Sequence, residues 1–283
     1  MMRYTYIMKI VFFGNTKHSL IGAKIIHKEL GFSLIVTIPG SPLEKFASEE
    51  KIPRLLITRL NDEAIAKIAE IEPDFLVVED YGLILPTKLL EIPKFASLNI
   101  HHSLLPKYRG SSPAPAAILA GEKVAGVSII KMSAKVDAGD VFAQKEYVLK
   151  EDETTDSLLN ELNLLGGELA VLIINDILQN KAKAIPQDES KATFTKYMQK
   201  SDGFVDISNI EPKEIDRKIR AYFPWPGVWS KVALNENDGQ KIVKFLPNKM
   251  IQVEGKKEMS YKDFLNGYPQ ADKKLVEFIK SSL

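Results

Sequence analysis

The 283 residues contain no cysteine, which excludes disulfides, thiolate metal sites and a cysteine nucleophile. An excess of charge of either sign is also missing. Lys plus Arg number 38 against 37 Asp plus Glu, and a net charge of +1 gives no overall pull toward nucleic acid. The longest apolar run, Leu164 to Ile174, is broken by Glu168 and is too short to span a bilayer, so no membrane partner is expected. Met1 to Met8 lacks the apolar stretch and small-residue cleavage site of a secretory leader. Met8 directly precedes the first strand and reads as an alternative start, and a cytoplasmic, monomeric protein is expected. What remains is 45% hydrophobic and 27% charged, the composition of a globular chain long enough to bury its own core.

The first half alternates strand-like and helix-like segments. Lys9–Gly14, Ser33–Ile38, Arg54–Thr58, Asp74–Val78 and Ala96–Ile100 read as strands. Between them, Ser19–Leu30 has apolar residues at helical spacing, Glu44–Lys51 reads as a short helix, and Asn61 as the N-cap of another. This alternation predicts an α/β fold with a doubly wound, mainly parallel sheet. A helix from Ser112, strands at Gly126–Met132 and Asp140–Leu149, and a long helix from Asp156 to about Gln179 follow. Gly166-Gly167 inside that helix marks either a close-packing point or a kink. Polar Pro186–Gly203 reads as a linker, and short strands separated by turns follow, the pattern of a small OB-like β-barrel. The expected domains are 8–185, a linker at 186–203, and 204–283.

Ligands of an open parallel sheet sit beyond the carboxyl ends of its strands. Asn99 and His101 stand two apart on a strand and therefore face the same way. An amide donor beside an imidazole suits acyl transfer to an amine, with Asn99 supporting a developing oxyanion and His101 handling a proton. Asp137, in Val136-Asp137-Ala138-Gly139-Asp140, could hold the imidazole and raise its pKa. Each residue also has a structural alternative: His101 and His102 as packed side chains, Asn99 as a partner of buried backbone, Asp137 as a turn residue. Gly14-Asn15-Thr16 lacks the further glycines of a phosphate-binding turn. Taken alone, the spacing supports an α/β enzyme with acyl transfer as one option.

NIHHSLLPKYRGSSP (Asn99–Pro113) followed by VDAGD (Val136–Asp140) closely resembles the folate-dependent formyltransferases. The resemblance implies catalysis by Asn99, His101 and Asp137, with 10-formyltetrahydrofolate as co-substrate and no metal. It implies folate contacts by the backbone of YGLILP at Leu83, Ile84 and Leu85, by Ser103, Leu104, Leu105 and Pro106, and by the loop Ser133, Ala134, Lys135 and Val136. Three tail motifs, KSDGFVDI (Lys200–Ile207), IRAYFPWPGVWS (Ile219–Ser230) and GKKEMSYKDFLNG (Gly255–Gly267), are similar to the branch that formylates the α-amino group of methionyl initiator tRNA. Candidate tRNA contacts are then Arg109, Arg217, Lys218, Lys231, Lys244, Lys256 and Lys257. The competing branch is N-formylation of an amino sugar on a nucleotide. A third class, a folate- or RNA-binding relative with little activity, would not require all three reaction-centre residues.

The chain departs from that family in two places. Where members carry a long basic insertion after the second strand, it has only Ile38–Lys51, short and with several acids. A family PIQ after the Arg-Gly element is replaced by Pro113-Ala114-Pro115. Reduced positive charge at the second strand is the expected consequence for tRNA capture.

Overall fold

The computed structural model describes residues 7–207, 212–235 and 239–282. The chain forms two compact units, one comprising residues up to Pro113 with Val124–Val148 and Leu159–Thr195, the other Ala114–Lys123, Leu149–Leu158 and the residues from Lys196 onward.

The first unit is built on seven strands: β1 (Ile10–Phe13), β2 (Leu34–Thr37), β3 (Arg54–Leu56), β4 (Phe75–Val78), β5 (Ala96–His101), β6 (Val124–Lys131) and β7 (Val141–Val148). Their order is β3-β2-β1-β4-β5-β6-β7. The first five run parallel, and β6 is antiparallel to both β5 and β7. Strands β1, β2 and β4 are buried on both faces, as their Ile, Leu, Val and Phe runs, broken only by Thr37 at the end of β2, require of a sheet covered by helices. The helices α1 (Ser19–Leu30), α2 (Pro42–Glu49), α3 (Asp62–Ala69) and α4 (Thr87–Leu90) connect them. Ser41 caps α2 by accepting from Glu44 N, and Asn61 caps α3 by accepting from Ala64 N. The stretch after β2 therefore forms a short capped helix rather than an extended basic loop.

Further along the chain come α5 (Pro113–Ala120) and the 24-residue α6 (Thr155–Leu178). α6 is long and apolar enough to cross a membrane, yet its Ala170, Ile173 and Ile174 pack into the core around β1 and β5. Gly166-Gly167 is a close-packing point, because the helix runs through it unbroken. A side chain at 166 would overlap Ile100 Cγ2, and one at 167 would come 2.9 Å from Gly22 Cα. The missing side chain at 166 sets how closely α6 lies on the strand that carries Asn99 and His101, and the one at 167 how closely it lies on α1.

The second unit contains α7 (Pro212–Ala221), β8 (Val228–Val232), β9 (Lys241–Leu246), β10 (Met250–Val253), β11 (Glu258–Ser260), α8 (Tyr261–Gly267) and α9 (Lys273–Ser282). The strands form one antiparallel sheet in the order β11-β10-β9-β8. The turn spacing predicted a small barrel; the described residues form a four-stranded antiparallel sheet, with β11 at one edge and β8, bridged in parallel by Phe204, at the other. Val228, Val232, Val243 and Phe245 face a core completed by Ile215 and Ile219 of α7 and by Phe264, Leu275 and Ile279. The opposite face carries the alternating residues Trp229, Lys231 and Lys244.

Candidate active site

The two-residue spacing on β5 puts Asn99 and His101 on one face, and Asp137 meets them there. Because β6 runs antiparallel, its carboxyl end pairs with Leu98, and the loop after it folds back to deliver Asp137. Asn99 Nδ2 donates to Asp137 Oδ1 at 3.3 Å, and His101 Nδ1 lies 3.7 Å from Asp137 Oδ2. Gly110 N donates to the same Oδ2 at 2.7 Å. Asp137 has φ 51°, a left-handed conformation that Asp tolerates better than most residues. Gly139 lets the loop pass against the Lys131 carbonyl, where a side chain would collide.

The protonation of His101 follows from its partners. Its Nε2 lies 3.0 Å from the carbonyl oxygen of Tyr108, which can only accept, so Nε2 carries the hydrogen. In the neutral ring Nδ1 then holds the lone pair, on the side of Asp137 and Asn99. Burial pulls the His101 pKa below the usual histidine value and outweighs the opposing pull of Asp137 and the Tyr108 carbonyl. The expected raising effect of Asp137 is present but does not win. The arrangement is a neutral imidazole with a free nitrogen, a carboxylate ready to receive the imidazolium, and an amide N–H₂ beside both.

His102 points away, as alternation on a strand requires, but it is far from a simple packing residue. Its Nδ1 is 3.3 Å from Asp80 Oδ1 and its Nε2 3.7 Å from Glu79 Oε1. Burial disfavours the imidazolium, yet Asp80 and Glu79 outweigh it and push His102 up to about 10. Burial raises Glu79 to about 8, and neither of its carboxyl oxygens has a hydrogen-bond partner among the described residues. Gly22 makes room for that carboxyl, since a Cβ there would overlap it. This pair escaped the sequence reading; its signal was two acids ending the apolar strand at Val78-Glu79-Asp80.

The folate-contact candidates divide by exposure. Ile84 is 81% and Val136 57% exposed, unusual for apolar side chains, and Ser133, Ala134 and Lys135 are exposed with them. Leu83, Leu104 and Pro106 are half-buried. Leu85, Ser103 and Leu105 turn inward, leaving only their backbone to a ligand. Ser128 ties the last two in place, donating to Ser103 O at 2.5 Å and accepting from Leu105 N at 3.2 Å.

Arg109 requires a correction. Expected at the mouth as an RNA contact, it is 2% exposed and fully engaged. Its guanidinium donates to Gln187 Oε1 at 3.1 and 2.8 Å and to the Glu189 carboxylate at 3.0 and 2.7 Å. The segment expected to be a linker from residue 186 is correspondingly bound into the first unit up to Thr195. Arg109 N donates to Thr193 O at 2.8 Å, Thr195 N to Arg109 O at 2.7 Å, and Tyr108 N to Thr193 Oγ1 at 2.8 Å. Gln187 Nε2 also donates to the carbonyls of Asp137 and Gly139, at 2.8 and 2.7 Å. The segment is polar because hydrogen bonds, not apolar burial, hold it against both site loops.

The remaining basic candidates lie in the second unit. Lys231 and Lys244 share the outer sheet face, and Lys256 and Lys257 lie in the β10–β11 turn. Lys218 pairs with Glu214 at 3.5 Å on α7, over the opposite, buried face. Arg217 lines a cavity of about 570 Å³ with Tyr261 and Phe278. Among the described residues no three His, Asp or Glu side chains are grouped as a metal site.

The formyl transferase family profile matches residues 39–174, which include the whole Asn99–Asp137 centre. A methionyl-tRNA formyltransferase of Methylococcus capsulatus is 32% identical over 268 residues, covering 84% of this chain and 86% of its own. A methionyl-tRNA formyltransferase from Clostridium thermocellum superposes with a TM-score of 0.60 at 20% identity, covering 87% of this chain and 97% of its own. A sugar N-formyltransferase from a Shewanella species reaches 0.67 at 16% identity, over 85% and 97% of the two chains, a likeness of fold alone. With that identity over most of both sequences, the chain belongs to the methionyl-tRNA formyltransferase family and is a formyl-transferring enzyme.

Proposed function

We propose that the protein transfers the formyl group of 10-formyltetrahydrofolate to the α-amino group of methionyl initiator tRNA, acting as a cytoplasmic monomer. The observation that carries the chemistry is the convergence of Asn99, His101 and Asp137, with His101 Nδ1 left as a free base.

The folate co-substrate supplies an activated formyl carbon. The surface fits it: exposed apolar Ile84 and Val136 offer cover for a flat heteroaromatic ring, and the adjoining backbone offers hydrogen bonds. The Asn99 amide donates to the formyl oxygen as that oxygen gains charge. His101 takes the proton of the attacking amine at Nδ1, and Asp137 stabilises the resulting imidazolium from 3.7 Å. As the tetrahedral adduct collapses, the bond between the formyl carbon and the folate nitrogen breaks and the imidazolium returns the proton to that nitrogen, releasing tetrahydrofolate. Asp137 itself is fixed by Gly110 N and, through its carbonyl, by Gln187, so little reorganisation is needed when charge moves. Tyr108 O holds the ring through Nε2 throughout.

Incubation with 10-formyltetrahydrofolate and either methionyl initiator tRNA or a nucleotide-linked 4-amino sugar tests the acceptor. Formylation of the tRNA is expected; formylation of the sugar alone would overturn the proposal.

A further inference from the structure

The exposed aromatic residues of the second unit are arranged rather than scattered. The segment 200–205 runs beside β8 in parallel, with a bridge between Phe204 and Trp229 and a bond from Val205 N to Trp229 O at 2.9 Å. Paired positions share a face, so Phe204 and Trp229 lie side by side on the outer surface, ring centres 5.0 Å apart. The Trp229 indole N–H donates to Lys200 O at 3.3 Å, which fixes its plane. Gly203 permits the contact, since a side chain there would collide with the Gly227 carbonyl. Upstream on the same two stretches, Tyr197 and Trp225 form a second ring pair with centres 6.5 Å apart. Tyr197 is 75% and Trp225 49% exposed, a cost in hydration that no packing within the unit offsets.

Positive charge borders the strip. Lys244 is the cross-strand partner of Trp229, and Lys231 follows two residues along on the same face. No carboxylate interrupts that face on β8 or β9, whose sequences are VWSKV and KIVKFL. Asp202, on the flanking segment, is occupied by the backbone N–H of Gln199 at 2.7 Å. The rings of each pair are inclined, at 60° for Phe204 and Trp229 and 54° for Tyr197 and Trp225, so aromatic surface is left uncovered beside the lysines, which suits bases and phosphates together. An apolar protein partner would have no use for the lysines.

We propose that the strip Tyr197, Trp225, Phe204 and Trp229, with Lys231 and Lys244, binds unpaired nucleotides of the RNA acceptor by stacking. The inference rests on the proposed tRNA acceptor but is tested separately. Trp225 and Trp229 are the chain's only tryptophans, so fluorescence excited selectively at tryptophan, and not at the nine tyrosines, reports on the strip alone. The full chain is titrated with a short single-stranded oligoribonucleotide and with a blunt RNA duplex of the same length. Saturable quenching by the single strand and weaker quenching by the duplex are expected. The exposed pair Tyr197→Leu and Phe204→Leu, which leaves both reporters and is checked by thermal melt, should weaken single-strand binding about tenfold or more. It should raise KM for charged tRNA at unchanged kcat, and Lys231→Ala with Lys244→Ala should reduce the salt slope of binding. Equal quenching by the duplex, or unaltered binding by the Leu pair, would overturn the stacking site. Quenching by an apolar peptide but not by the oligonucleotide would assign the strip to a protein instead. If charged tRNA is formylated with an unchanged KM in the Leu pair, the strip fails and the acceptor assignment stands. If the oligonucleotide stacks but charged tRNA is not formylated, the reverse holds.

Discussion

Replacing Arg109 separates two roles for the cation inside the NxHxSLLPxxRG motif, phosphate contact and internal clamp. Its guanidinium donates two hydrogen bonds to Gln187 and two to Glu189. Glu189 lies at the surface, where solvent screens the pair, so its share is small. The Gln187 bonds are half-buried, and a hydrogen bond to a charged group contributes about 1.5–3 kcal/mol. Arg109→Lys keeps the charge but loses the planar fork, so roughly 2 kcal/mol of stability should disappear. Urea titration followed by circular dichroism measures that loss as a lower midpoint. Turnover should fall as well, because Gln187 also holds the carbonyls of Asp137 and Gly139. Displacement of a reacting group by about 1 Å costs on the order of 100-fold. The salt dependence of tRNA binding should not change. A variant of normal stability whose salt slope is smaller by about one would show that Arg109 contacts phosphate, and the clamp would be wrong.

Other expectations follow from the same geometry. Gly166→Ala gains about 1 kcal/mol of helix propensity but overpacks Ile100, at about 1–3 kcal/mol. A lowered melting temperature and slower turnover together are expected, since Ile100 lies between Asn99 and His101; a more stable, fully active variant would contradict the close-packing argument. His101 has its pKa depressed by burial, so the acid limb of kcat/KM should lie below pH 6.5, the ordinary histidine value. An acid limb above it would mean the base is exposed or is another group. Glu79, raised by burial to about 8, favours the unfolded state progressively as pH climbs from 4.5, its ordinary value, toward 8. His102, raised to about 10, stabilises the fold fully below 6.5 and loses that contribution as pH passes 10. Both shifts make the melting temperature fall from pH 5 to 9, and Glu79→Gln should flatten the lower part of that decline. An unchanged profile in Glu79→Gln would show that Glu79 does not ionise in this range.

The sheet was legible because its strands are written as apolar runs and a helix such as α3 begins at a recognisable cap, Asn61; the Ser41 cap, which starts α2 at Pro42 rather than Glu44, emerged only from the structure. Asn99 and His101 were legible through alternation, which fixes side-chain direction without tertiary information. Asp137 was readable as a carboxylate at a strand end, with a turn residue as the alternative, and the family resemblance added its catalytic role, because nothing local says that an antiparallel β6 folds its loop back over β5. Arg109 was misread for a related reason. An arginine looks exposed until its partners are known, and Gln187 and Glu189 lie about eighty residues away in a stretch without apolar pattern. The second unit's turns were visible, but turn spacing does not count strands: a four-stranded sheet stands there, its β8 edge bridged by Phe204, a pairing that no turn announces. Phe204 and Trp229 lay within motifs quoted for their likeness, and only the parallel pairing of the two stretches reveals their common face.

The central claim is that Asn99, His101 and Asp137 perform formyl transfer with His101 as the base. Single-turnover formylation of methionyl initiator tRNA by His101→Ala, with folate binding measured in parallel, tests it most directly. A loss of rate of about 100-fold or more with folate affinity intact is predicted. Near-full rate in that variant would contradict the mechanism.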